Sequence, residues 1–97
     1  MRTEKATFIA VRGEDVLLTI EIAVTSLAYD RGVKAALYAR HGVREYWVIE
    51  PIRRTAWVHT RPGPDGWASV DERGPMDVLT PLSPALSGFH VVLGQIA

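Results

Sequence analysis

An acid and a lysine stand out in this sequence because of where each one falls. Glu21 interrupts the otherwise apolar run VLLTIEIA at residues 16–23. An ionised side chain buried in such a run costs several kcal/mol unless it has a partner, which can be a cation, a hydrogen-bond network or a metal ion. The next candidate cation along the chain is Lys34. We therefore expect Glu21 and Lys34 to meet in a solvent-accessible pocket at one end of a sheet.

Each of these residues alone has a plainer interpretation. Glu21 could be a carboxylate at a strand edge that faces water or pairs with an arginine, and Lys34 could be an exposed helix lysine. The pair is more informative than either member, because a helix that packs back over the preceding strand brings both side chains to the same place.

Two strands are predicted before the helix. Residues 5–11 are expected to form a short strand, residues 12–15 a turn, and residues 16–23 the strongest strand of the chain. This second strand is largely apolar on both faces, which is typical of a central strand that is covered on both sides.

One main helix follows the two strands. Residues 25–26 can start it, with Asp30 as a second possible N-cap, and the helix is expected to run to about His41, with Gly42 just beyond its end. Gly32 costs about 1 kcal/mol relative to alanine inside a helix, which indicates a close packing contact there. A mostly apolar stripe comprises Val33, Ala36, Leu37 and Arg40. A more polar stripe comprises Leu27, Asp30, Arg31, Lys34, Tyr38 and His41.

The rest of the chain is predicted to be mainly β. Residues 45–50 and 55–60 form a hairpin, residues 61–66 a loop, and three short strands follow at residues 67–70, 76–79 and 89–93. This order predicts an α/β fold in which a mixed sheet carries one main helix and ends in a C-terminal β-hairpin region. A length of 97 residues predicts a single domain over residues 1–97.

The composition narrows the classes of function. Eleven Lys and Arg balance eleven Asp and Glu, so DNA contact would need a local patch, such as Arg53-Arg54 or the Arg31, Lys34 and Arg40 side of the helix. The chain has no cysteine and its histidines are scattered, which leaves zinc chemistry unsupported. There is neither a signal-peptide core nor an apolar run of the ~20 residues that span a bilayer. We expect a cytoplasmic protein without a membrane segment.

Several segments together resemble one family. They are DVLLTIEIA at residues 15–23, TSLAYDRGVK at 25–34, LYA at 37–39, GV at 42–43 and EYWV at 45–48, with PALSGF at 84–89 similar to the family's closing segment. The combination is similar to the Uma-type restriction endonucleases of bacteria, a branch of the PD-(D/E)XK nuclease superfamily. The likeness is close over residues 14–60 and looser through the tail. It implies a restriction-endonuclease-like fold and metal-dependent hydrolysis of DNA phosphodiester bonds.

The resemblance also implies roles for individual residues. Glu21 matches the acid that binds Mg²⁺ (or Mn²⁺), and the backbone carbonyl of Ile22 would be a second ligand. Ala23 stands where the parent superfamily has its lysine; in this branch the lysine lies on the helix, and Lys34 is the matching residue. Its ammonium would orient or activate the attacking water and offset phosphate charge. Two residues one turn either side of the lysine would support it, Asp30 and Tyr38.

The sequence departs from the superfamily in one element. No Pro-Asp precedes Glu21, so the chain is expected to be N-terminally short relative to the family. Asp15 cannot supply the lacking acid, because six residues of strand span about 20 Å, whereas the ligands of one metal lie within about 2.5 Å of it. If the first two strands form a hairpin, Glu4 becomes a diagonal neighbour of Glu21 and a candidate metal ligand. A register slip of one residue would turn Glu4 to the other face.

Two other classes of function stay open. A shortened chain could keep the nuclease fold without holding a metal, as a non-catalytic remnant. It could instead be a small binding module, because an unpaired strand edge invites pairing with a second copy to form a homodimer. Divalent-cation binding separates the remnant from a nuclease, and sedimentation tests the dimer.

Overall fold

A mixed sheet of four strands carries two short helices on one face. The computed structural model describes residues 12–96, and the predicted strand over residues 5–11 lies outside that part of the chain. The elements are β1 (Thr19–Ile22), α1 (Leu27–Arg31), α2 (Val33–Arg40), β2 (Glu45–Glu50), β3 (Thr55–Gly63) and β4 (Gly66–Arg73). The sheet order is β1-β2-β3-β4, with β1 parallel to β2 and the other pairs antiparallel. The α/β class with a mixed sheet is confirmed.

A second, smaller sheet packs against the other face. It consists of β5 (Val78–Leu79) and β6 (Val91–Val92), which pair antiparallel. The two strands predicted in the tail are therefore present but shorter. Short 3₁₀ turns occur at Gly13–Asp15, Pro84–Leu86 and Leu93–Gln95. The two sheets share one buried cluster, formed by Trp47, Ile49, Ala56, Val58, Leu79 and Leu93.

The centre of the four-stranded sheet is β2, in which every residue is buried. Trp47 and Ile49 belong to the cluster shared with the small sheet, while Tyr46 and Val48 face the helices. Within residues 12–96, β1 borders β2 alone, and β2 and β3 are the inner strands of the described sheet. The strand predicted at residues 16–23 is shorter, and it is half-buried with Ile22 exposed. Its predicted neighbour at residues 5–11 lies outside the described residues, so its place at the centre of the sheet stays a prediction.

The single predicted helix is broken in two at Gly32. The backbone there, with φ −102° and ψ −89°, departs from helical values. A Cβ at this position would lie 2.9 Å from the carbonyl oxygen of Ala28, so the close contact expected at Gly32 is with the preceding turn. The first helix follows Ser26, the second ends at Arg40, and Gly42 takes the left-handed φ of +80° beyond that end. The ends of the helix were predicted correctly, but its continuity was not.

The helices turn their polar stripe toward the sheet. Asp30, Ala35 and Ala39 are buried, whereas Val33 and Leu37 of the apolar stripe are exposed. The sheet beneath presents large aromatic rings, so small alanines fit against it, and the polar side chains find partners at its edge. Among residues 12–96, neither helix has the length and hydropathy needed to cross a bilayer.

The predicted loop over residues 61–66 is mostly strand. β3 continues to Gly63 and β4 begins at Gly66, which leaves a two-residue turn. Gly66, the first residue after this turn, takes a positive φ of +124°, which favours glycine. Pro62 lies within β3; it lacks only an N–H, so it can still pair with β4. β4 also runs on to Arg73, beyond its predicted end.

Candidate active site

Glu21 and Lys34 meet beside the end of β1. Glu21 lies opposite Val48 of β2, and Lys34 is in the first turn of α2. The Lys34 Nζ donates a hydrogen bond to Glu21 Oε2 over 2.8 Å. The two side chains are 28% and 25% exposed, so the pair is sheltered but reachable from solvent. The proximity expected from the sequence is present.

Tyr38 adds a second donor to the same carboxylate oxygen. Its hydroxyl, one turn beyond Lys34 on α2, donates to Glu21 Oε2 over 3.2 Å. Both donors use Oε2, so among residues 12–96 the other oxygen, Oε1, has no hydrogen-bond partner. Within the described part of the chain, this oxygen is open to a ligand.

Asp30 lies on the other side of the lysine and is almost fully buried, at 2% exposure. Its Oδ2 accepts a hydrogen bond from the Ser26 hydroxyl over 2.7 Å, and its Oδ1 lies 3.6 Å from Lys34 Nζ. The ammonium is thus placed between two carboxylates, closer to Glu21 than to Asp30. All four residues that the sequence pointed to on the strand and the helix, Glu21, Asp30, Lys34 and Tyr38, lie in one cluster.

The cluster holds its donors in their protonated forms. Burial lowers the pKa of Lys34, but the hydrogen bond to Glu21 and the surrounding negative charges outweigh burial and leave the pKa above its ordinary value. Burial and the Glu21 charge raise the pKa of Tyr38. Near neutral pH Lys34 is therefore an ammonium ion and Tyr38 a neutral phenol. Such a lysine can stabilise negative charge.

The cluster offers oxygen donors, which suit Mg²⁺ or Mn²⁺. Mg²⁺ usually keeps several waters and takes only one or two carboxylates from a protein, so the predicted pair, Glu21 and the Ile22 carbonyl, would match the kind of donor that this ion takes. Among residues 12–96, no three His, Cys, Asp or Glu side chains come together as a ready-made metal cage. The remaining predicted ligand, Glu4, lies outside the described residues.

The two predicted basic patches have different surroundings. Arg31 is exposed, and its guanidinium stacks 4.3 Å above the Trp57 ring, on the helix layer that also carries Lys34. The Arg53-Arg54 patch is engaged elsewhere: Arg53 lies 3.9 Å from Glu50, and Arg54 Nε donates to the Ile96 carbonyl over 3.0 Å. The helix patch is the one that adjoins the candidate site.

Sequence reasoning missed a second acid inside a strand. Glu45 is 2% exposed, more deeply buried than Glu21. Its carboxylate accepts hydrogen bonds from the Trp47 indole, over 2.8 Å, and from the Leu82 amide, over 2.9 Å. These neutral donors tie the tail to the sheet and leave neither oxygen free for a ligand. The sequence did offer a sign of this buried acid, because Glu45 directly precedes the aromatic residues Tyr46 and Trp47. Unlike Glu21, however, Glu45 is followed by no lysine on a helix.

The fold and this cluster define a small α/β domain with a charged, solvent-accessible site at the end of a mixed sheet. A profile of the family Uma2, described as "Putative restriction endonuclease", matches residues 3–94. The chain belongs to this restriction-endonuclease-like family. No curated protein matches the chain.

Proposed function

We propose that this protein is a metal-dependent endonuclease that hydrolyses phosphodiester bonds of DNA in the cytoplasm. The observation that carries the proposal is the contact between Lys34 and Glu21, with Tyr38 on the same carboxylate oxygen. A cation next to a carboxylate whose other oxygen is unbonded by the described residues is an arrangement suited to a metal-bound phosphate. Membership of the Uma2 family supports the choice of a nucleic-acid substrate.

Each residue of the cluster has a role in this proposal. Lys34 stays protonated, so it stabilises negative charge on the scissile phosphate and orients the attacking water. Tyr38 and Lys34 together fix the Glu21 carboxylate with Oε1 turned to the ligand. Asp30 keeps the lysine in place through its own buried carboxylate.

Glu21 Oε1 and the Ile22 carbonyl would hold Mg²⁺ or Mn²⁺. The ion would supply Lewis-acid stabilisation of the phosphate and lower the pKa of a bound water. Glu4 is proposed as a further ligand, on the basis of the predicted hairpin between residues 5–11 and β1. Substrate phosphate oxygens and waters complete the coordination in the usual manner of Mg²⁺ sites.

Plasmid nicking in the presence of Mg²⁺ tests the proposal. Glu21→Gln and Lys34→Met keep side-chain size but remove the charges, and each is expected to slow nicking by at least about 100-fold. Matched controls on the exposed edge of β4, Glu72→Gln and Arg73→Met, are expected to nick at the wild-type rate. Wild-type rates for either site variant would reject the assignment of that residue.

The same experiments test the two alternative classes of function, the non-catalytic remnant and the binding module. A wild-type chain that binds no divalent cation and nicks no DNA would be the non-catalytic remnant. A homodimer is proposed only for the binding-module alternative, in which an open strand edge pairs with a second copy. Sedimentation of the purified chain as a stable monomer would dispose of that alternative.

A further inference from the structure

A buried tyrosine hydrogen-bonds a backbone carbonyl beside the break at Gly32. On either side of the break, Gly32 N–H donates to the Ala28 carbonyl and Ala36 N–H donates to the Gly32 carbonyl. The Asp30 carbonyl, two residues before Gly32, accepts the Tyr46 hydroxyl over 2.8 Å. The sheet therefore supplies a side-chain partner to a backbone carbonyl at the end of α1.

The carbonyl that Tyr46 binds belongs to the residue one turn before the lysine. In an unbroken α-helix the N–H of residue i bonds the carbonyl of residue i−4, so Asp30 and Lys34 stand at that spacing on opposite sides of the break. A hydroxyl bound to the Asp30 carbonyl therefore fixes the backbone from which α2 and Lys34 continue.

Tyr46 is well suited to hold such an anchor. It is fully buried at the centre of β2. Its ring meets the ring of Tyr38 edge-on, with 5.0 Å between centroids, and stacks on Trp67 at 6.2 Å. The hydroxyl is thus fixed by the sheet, whereas the carbonyl it binds belongs to the helix layer.

We propose that Tyr46 is a positioning residue, whose hydroxyl anchors the end of α1 to the sheet and so directs Lys34 toward Glu21. The inference rests on the proposed function, since it assigns Tyr46 a part in the same site. The break at Gly32 lies between Asp30, whose carbonyl Tyr46 binds, and Lys34. With the end of α1 anchored, Lys34 Nζ reaches Glu21 at 2.8 Å while staying 3.6 Å from Asp30.

The test uses Tyr46→Phe, which removes the hydroxyl and keeps the ring. The matched control is Tyr29→Phe on α1, since Tyr29 is exposed and its hydroxyl bonds no group among residues 12–96. For Tyr46→Phe, kcat for nicking is expected to fall about tenfold while KM for DNA changes less than twofold, as misplacement of a catalytic group predicts. Tyr29→Phe is expected to match the wild type in both.

A readout without any nuclease assay follows the ion pair directly. The coupling between Glu21→Gln and Lys34→Met is measured in the unfolding equilibrium, once in the wild type and once in the Tyr46→Phe background. In the wild type we expect the two substitutions together to change the unfolding equilibrium constant by about threefold relative to the product of their separate effects, the range for a partly exposed pair. In the Tyr46→Phe background we expect no such coupling.

An unchanged coupling in the Tyr46→Phe background would overturn the proposal, and so would the absence of coupling in the wild type. Failure of Tyr46→Phe to fold while Tyr29→Phe folds would assign Tyr46 a structural role instead. If the wild-type protein does not cleave DNA, the proposed function fails, yet the coupling measurement still decides whether Tyr46 positions Lys34.

Discussion

At the scale of single residues, the partners of an acid within a strand distinguish the candidate site from a structural contact. Glu21 has a cation and a phenol on one oxygen and keeps the other free within the described residues, whereas Glu45 has both oxygens bonded to neutral N–H groups. The sequence predicted the Glu21 contact because a lysine follows at helical reach. It could not predict the Glu45 contact, because the Leu82 amide is distant in the chain and its approach depends on how the tail folds.

His59 is buried in β3 and is expected to make the stability of the protein depend on pH. Burial lowers the pKa of His59 from the ordinary 6.5, against the opposing effect of hydrogen bonds with the Tyr46 and Trp57 carbonyls. The unfolded chain therefore binds a proton more readily, so unfolding takes up a proton and stability falls as pH drops below about 6.5. Between pH 7.5 and 5, the free energy of unfolding should fall further in the wild type than in His59→Gln.

Urea titrations at each pH measure this difference, with His90→Gln as the control on an exposed histidine. The control should follow the wild type throughout. Parallel pH profiles for His59→Gln and the wild type would show that His59 contributes nothing to the acid sensitivity.

At the scale of elements, the site depends on a parallel strand pair and a broken helix. β1 and β2 run parallel, so the chain must cross back over the sheet between them, and the crossing carries Lys34 over the end of β1. The order of elements and the helix ends were predictable from turn residues and apolar runs. The break was not, because a glycine inside a helical pattern costs only about 1 kcal/mol and is tolerated within many helices.

Gly32→Ala tests the break. In an ordinary helix the change would stabilise the protein by about 1 kcal/mol. Here a Cβ would lie 2.9 Å from the Ala28 carbonyl oxygen, which is backbone and cannot move cheaply, so we expect destabilisation by about 1–3 kcal/mol. Gly74→Ala, where a Cβ meets no atom within 4 Å, is the control and should change stability by less than about 0.5 kcal/mol. A gain in stability for Gly32→Ala would contradict the close contact.

At the scale of the whole molecule, the two faces of the described sheet pack against different layers. One face packs on the small second sheet through Trp47, Ile49 and Leu79, while the other carries the helices and the charged cluster. The sequence predicted the polar stripe of the helix but not that this stripe would face the sheet. The spacing of polar and apolar residues along a helix does not say which stripe the sheet will cover. Because the sheet covers the polar stripe, Val33 and Leu37 of the apolar stripe are exposed.

Paramagnetic broadening by Mn²⁺ tests whether Glu21 binds a metal ion, since it locates a bound ion on the protein without a nuclease assay. We expect a small amount of Mn²⁺ to broaden the backbone amide signals of residues 21–23. Excess Mg²⁺ should restore these signals, and Glu21→Gln should abolish the effect. Glu72→Gln is expected to behave as the wild type. Broadening that persists in Glu21→Gln, or that never favours the end of β1, would contradict a metal-dependent site at Glu21 and Lys34.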